Sequence, residues 1–204
     1  MNAHQYLALV HTYPFSSLMH RYYGYQQRDS TARVQYMDSV VISGIPQWRY
    51  TPGRVVTRND DRSRRGDFFM YLPTVEVFAD STFIANHCFH SAGLAALDDS
   101  TFFRIDFTAA SSIRSPDIEG SIFLDPATLQ VRRTILRLTR SPSPMMTSAE
   151  VTADYAEMAP SIPVLHNVFL RQTYNQRGRV PVLFEEQRLV RVEFHRGAPA
   201  GSHR

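Results

Sequence analysis

Apolar residues recur at every second position through much of this chain, most clearly in the run Phe102 to Arg140, FFRIDFTAASSIRSPDIEGSIFLDPATLQVRRTILRLTR. Phe103, Ile105 and Phe107 alternate with Phe102, Arg104, Asp106 and Thr108, which predicts a half-buried strand. The small and polar residues from Ala109 to Pro116 interrupt the pattern with a loop. It resumes at Ile118, where Gly120, Ile122 and Leu124 share one face and Glu119, Ser121, Phe123 and Asp125 the other. Asp125-Pro126-Ala127-Thr128 then predicts a chain reversal, because proline pre-sets the first central position of a turn and the aspartate before it bonds back to the backbone. Val131 to Arg140 returns with Arg132, Thr134, Leu136 and Leu138 on one side. Apolar residues on both of its faces mark a central strand, either a plain one flanked by salt bridges or one that supports a ligand-facing wall.

Around this run the chain predicts a short helix over Ala3 to Thr12, with Asn2 as its cap and Tyr13-Pro14 as its stop. Strands follow over Phe15 to Gln27 and Ala32 to Ser43, then a Pro/Gly-interrupted pair of short strands within Pro46 to Thr57 and another over Gly66 to Leu72. TVEVFADSTFIANH predicts a second helix with Thr74 as N-cap, placed to cover one opening of the sheet. Ser91 to Leu97 forms a hairpin with the Phe102 strand, and Val151 to Met158, Val164 to Tyr174 and Val180 to His195 complete the set. The total is about ten or eleven strands and two short helices, without the strand–helix alternation of a doubly wound fold. The expected class is therefore mainly β: a curved antiparallel sheet or open half-barrel, one shell domain over residues 1–196 with a disordered tail at 197–204.

Composition narrows the function classes. At 43% hydrophobic residues the chain is no disordered polymer, and no apolar run is long enough for a membrane-spanning helix. All 22 basic residues are arginine and face 19 acids, a formal charge of +3. The absence of lysine reads as compositional bias, and nothing in this balance calls for nucleic acid. The charge-dense run RVVTRNDDRSRRGD cancels most of its own field; it is a solvated hairpin loop or a docking loop for an acidic partner or lipid headgroups. The tyrosines Tyr22, Tyr23 and Tyr25 line a pocket or stand on a half-exposed sheet surface.

Candidate chemistry is sparse. His87-Cys88-Phe89-His90 is the one reactive-looking group, a possible activated thiolate or partial metal site. A strand would point His87 and Cys88 to opposite faces, and the expected state is a buried structural cysteine with incidental histidines, and no metal site. Asp117 and Glu119 form a possible carboxylate pair, solvated or answered by arginine. There is no G-x-S-x-G elbow, H-E-x-x-H, P-loop or Gly-rich dinucleotide turn, so neither enzyme activity nor a cofactor is expected. The favoured function is a noncatalytic shell whose concave face holds a hydrophobic ligand, with Phe103, Ile105, Ile122, Leu124, Leu136 and Leu138 as candidate lining. The alternative is a structural or interaction domain of a larger envelope protein, whose packed core would use the same residues.

Three stretches, PTVEVFADSTFIANHCF, FRIDF and RSPDIEGSIFLDPATLQVRRTILRLTR, together resemble uncharacterised secreted bacterial carboxypeptidase regulatory-like domain proteins with a shell of the LolA/LolB lipoprotein carrier type. The resemblance runs from Tyr6 to Phe194, and IEGSIFLDPATLQVRR carries its strand-turn-strand pattern. It implies helices closing the concave side of a curved sheet, and export to the periplasm or outer membrane with at most peripheral membrane contact. It also implies binding of a lipid, an acyl chain or a lipoprotein, and it transfers no site residue. The chain shows neither a secretory signal nor the upstream module, which predicts a cytoplasmic protein or a fragment of a longer exported one.

Overall fold

A computed structural model describes residues 3–26, 33–45, 49–58, 68–70, 74–142, 144, 146–175 and 182–197. Helix α1 (Ala3–Thr12) precedes two strands, β1 (Phe15–Gln26) and β2 (Arg33–Ser43). The short β3 (Val56–Arg58) and β4 (Phe68–Met70) pair with each other in a separate two-stranded ladder. After helix α2 (Ser81–Ala85) the chain is a meander: β5 (His87–Leu97), β6 (Ser100–Ala109), β7 (Ile118–Leu124), β8 (Val131–Leu138), β9 (Met146–Ala159), β10 (Ile162–Tyr174) and β11 (Val182–Phe194). The main sheet has nine strands in the order β2-β1-β11-β10-β9-β8-β7-β6-β5, all antiparallel and not closed. The expected class holds: a mainly β protein built on an open antiparallel sheet with two short helices.

The turns follow local chemistry. Asp125 Oδ1 accepts from the N–H groups of Ala127 at 3.0 Å and Thr128 at 2.9 Å, and the reversal ends on Leu129 at φ 56°. The predicted turn is thus present, with β8 central between β7 and β9. Gly120 is required where β7 meets β8, since a Cβ there would stand 2.0 Å from the Ile135 carbonyl oxygen.

The larger core cluster lies on one face of the sheet, while Phe123 is buried on the other beside Phe102 and Arg104. One cluster unites Phe107, Ile118, Ile122, Leu136, Val151 and Val168 of the strands with Tyr50, Val55, Val77 and Phe83 from the segment between β2 and β5. A second cluster packs Tyr6 and Val10 of α1 against Phe15, Ala159, Ile162 and Val164. The opposite face carries paired charges: Arg104 with Asp106, Arg133 with Asp154 and Asp98, Arg137 with Glu150, and Arg188 with Glu186. These pairs, half-buried to exposed, keep that face in water, and the exposed ones contribute little to stability.

Two local expectations change. No strand forms over 49–55, which runs as a turn closed by the Arg54 N–H on the Thr51 carbonyl at 3.0 Å. Thr74 does not cap a long helix. The chain makes a 3₁₀ turn at Val77–Ala79 and then α2, capped by Asp80 through the N–H groups of Thr82 (2.7 Å) and Phe83 (3.2 Å). β-branched Val75 and Val77 are poor helix formers, and an aspartate is the stronger cap. Asn2, Pro46 to Trp48, most of the charged loop and the tail beyond Gly197 lie outside the described residues.

Candidate functional site

The candidate site is the covered face of the sheet. Strand register places all six predicted lining residues on that face. Phe103 stands opposite Leu124 and Ile105 opposite Ile122, while Leu138 and Leu136 oppose Ile118 and Gly120. The structure then divides them. Ile122 and Leu136 are buried under Tyr50, Val77 and Phe83, and Leu124 and Leu138 pack at the margin of that cluster. Phe103 and Ile105 are half-buried beyond it. Opposite Phe103, Leu94 of the edge strand β5 is 68% exposed. The middle of the apolar face is therefore filled by the protein's own side chains, and its continuation toward β5 is open.

Two polar groups lie beneath the cover, Asp117 with its partners and Glu76, and sequence reasoning assembled neither setting. In the first, Asp117 is fully buried just before β7. Its Oδ2 accepts from the Tyr50 hydroxyl at 2.9 Å and the Gly53 N–H at 2.8 Å, and its Oδ1 accepts from the Ile118 N–H at 2.8 Å. His87 Nε2 lies 3.6 Å from Oδ1. Burial alone would push the Asp117 carboxyl up, but the nearby His87 and the bonds from Gly53, Ile118 and Tyr50 outweigh it and hold it below the usual carboxylate range. Burial and the bond to Asp117 push the Tyr50 hydroxyl far up, so it stays protonated as the donor.

His87 is held on every side. Its Nδ1 is 2.9 Å from the Phe83 carbonyl oxygen and its Nε2 is 3.1 Å from that of Ile118, both acceptors. The ring stacks on Phe83 at a centroid distance of 3.9 Å, with Tyr50 and Phe107 around it. With its side chain wholly enclosed it meets no solvent and no substrate. The expected buried cysteine is corrected here, because Cys88 is exposed and His87 is the buried member. Alternation on β5 puts His87 and Phe89 toward the core and Cys88 and His90 toward water. The carboxylate pair separates likewise: Asp117 is enclosed, while Glu119 faces the side of the sheet that carries Arg137, its partner in register. Among the described residues no group of three or more His, Cys, Asp or Glu side chains is placed to hold a metal ion.

The second cluster surrounds Glu76, the residue before the 3₁₀ turn. Only 8% of it is exposed, and its Oε2 has no hydrogen-bond partner. Burial pushes its carboxyl up, against smaller opposing effects of the Thr74 side chain and its own backbone N–H.

No family model matches this sequence, and no curated protein sequence matches it. A crystal structure of a domain named for outer membrane lipoprotein sorting, from Vibrio parahaemolyticus, aligns with 98% of this chain and 96% of that one. The identity is 13% and the TM-score 0.47, a level at which likeness carries no argument about what this chain binds. That name falls on the LolA side of the resemblance, and no comparison reaches the carboxypeptidase regulatory-like side.

Proposed function

We propose that this protein is a noncatalytic binding shell that takes a hydrophobic ligand, such as a lipid, an acyl chain or a lipidated protein, on the covered face of its sheet. One observation carries the reading. The apolar lining does not stop where the cover stops: Leu94, Phe103, Ile105 and Leu124 extend it, exposed or half-buried, toward the β5 edge. The opposite face is laced with ion pairs, so the two faces differ in chemistry and not merely in coverage. Each acyl methylene buried against such a row contributes roughly 0.8 kcal/mol, and a short contact of several carbons gives useful affinity. Among the described residues no helix is long and apolar enough to cross a membrane. The proposed setting is the cell envelope, peripheral to the bilayer.

A second reading has its own support. Ile122 and Leu136 are covered completely by the chain itself, as in a structural or interaction domain that takes no small ligand. Native mass spectrometry of protein purified from cells, with displacement of a fluorescent fatty acid, separates the two. The shell is expected to carry a lipid-sized adduct, and Leu94→Asp with Phe103→Ser to lose binding while keeping its fold. An adduct-free protein that ignores the fluorescent probe would sink the shell and leave the packed domain.

A further inference from the structure

The function just proposed makes no use of Glu76, although its setting is unusual. Its neighbour Val75 packs against both apolar clusters, so the carboxyl stands at the seam between them. Tyr6 of α1 and Tyr155 of β9 are the titratable groups that share its field. Both are buried, and burial keeps both hydroxyls protonated well beyond the ordinary range. Tyr6 is tied to the Pro163 carbonyl at 3.3 Å. On the cover itself Thr74 reaches the carboxyl, while the Asp80 carboxylate is committed to the N–H groups of Thr82 and Phe83. Among the described residues, none of the groups acting on Glu76 is a cation. A carboxylate formed here would find, among the described residues, no counter-charge and no donor for one of its oxygens, in apolar surroundings.

We propose that Glu76 is a proton-operated latch: protonated, it lets the cover over 74–86 and helix α1 close on the sheet, and its ionisation loosens that seam. The sign follows from linkage. Folded protein keeps the proton at pH values where the unfolded chain has released it, so over that window the closed form weakens as pH rises. The response is the reverse of an ordinary salt-bridged carboxylate. It stands apart from ligand binding, since it concerns how the cover closes and holds whether or not the open row takes a lipid.

Hydrogen–deuterium exchange of the full chain tests this at the amides of 74–86, corrected for the intrinsic rate at each pH. Between about pH 5 and about pH 8 the corrected protection of that segment is expected to fall about tenfold or more. Glu76→Gln, neutral at every pH, is expected to hold it constant. Equal protection at the two pH values, or an undiminished fall in Glu76→Gln, would overturn the latch. Should the glutamine variant fail to fold, a ¹³C titration of the Glu76 carboxyl in the unmodified chain decides. A midpoint above the ordinary carboxylate range supports the latch, and one within it overturns it.

Discussion

Asp117 and Glu76 are both acids buried beneath the same cover, and they are handled in opposite ways. Asp117 receives donors from Tyr50, Gly53 and Ile118 with His87 beside it, and is held as the anion. Glu76 has, among the described residues, one oxygen without a donor and no cation acting on it, and burial pushes its carboxyl up. Depth in the fold therefore does not decide the charge of a buried carboxyl; the number of donors aimed at it does. One end of the cover is fastened by charge, and the latch proposed for the other rests on its absence.

The largest effect expected from breaking this contrast is at the clasp. Asp117→Ala would take the acceptor from the Gly53 and Ile118 N–H groups, end the bond from the Tyr50 hydroxyl and remove the carboxylate beside His87, with a loss of about 3–5 kcal/mol in urea unfolding. A loss under about 1 kcal/mol would mean that the clasp does not hold the cover. Next comes Gly53→Ala. Gly53 sits at φ 69°, and a Cβ there would meet the Ser115 side chain at 2.7 Å, so the loop must shift away from Asp117. Thermal unfolding should show about 1–3 kcal/mol of destabilisation.

Stability as a function of pH sharpens the same contrast. With its folded pKa depressed, Asp117 contributes stability that is present above the unfolded value of about 3.9 and is lost as pH falls through the folded one. Glu76, with its folded pKa raised, penalises the fold as pH climbs above the unfolded value of about 4.3. Stability should therefore decline on both sides of a mildly acidic optimum, and Asp117→Asn should blunt only the acid limb. Glu76→Gln gives the smallest effect, about 1 kcal/mol of stabilisation near pH 8 and close to none near pH 4, measured by chemical denaturation at both values.

Much of the sheet was legible because alternation is local. The helix over Ala3 to Thr12, the turn at Asp125 and the faces of β6, β7 and β8 are all set by residues close together in the chain. The six candidate residues share the face that the alternation assigned them, yet the pattern could not say which would be covered. That depends on Tyr50 and Phe83 arriving from elsewhere in sequence. The clasp was illegible for the same reason: Tyr50 meets Asp117 across 67 residues, and no spacing rule joins an irregular loop to a strand start. In His87-Cys88-Phe89-His90 the alternation was read correctly, but an apolar or near-apolar residue falls on either face. The packing of Phe83 and Phe107 chose His87. Glu76 sits where a helical first turn would have welcomed an exposed acid, a role that the 3₁₀ turn cancels.

The placement of β1 against β11 bears on how the molecule assembles. Every other ladder in the main sheet joins strands that follow one another in the chain, whereas Phe15 pairs with Phe194. The meander from β5 to β11 can zip up hairpin by hairpin, at small entropic cost for each closure. The β1–β2 hairpin must wait for the β11 rim and should join last, so refolding is expected to show a late phase that reports on this wing alone.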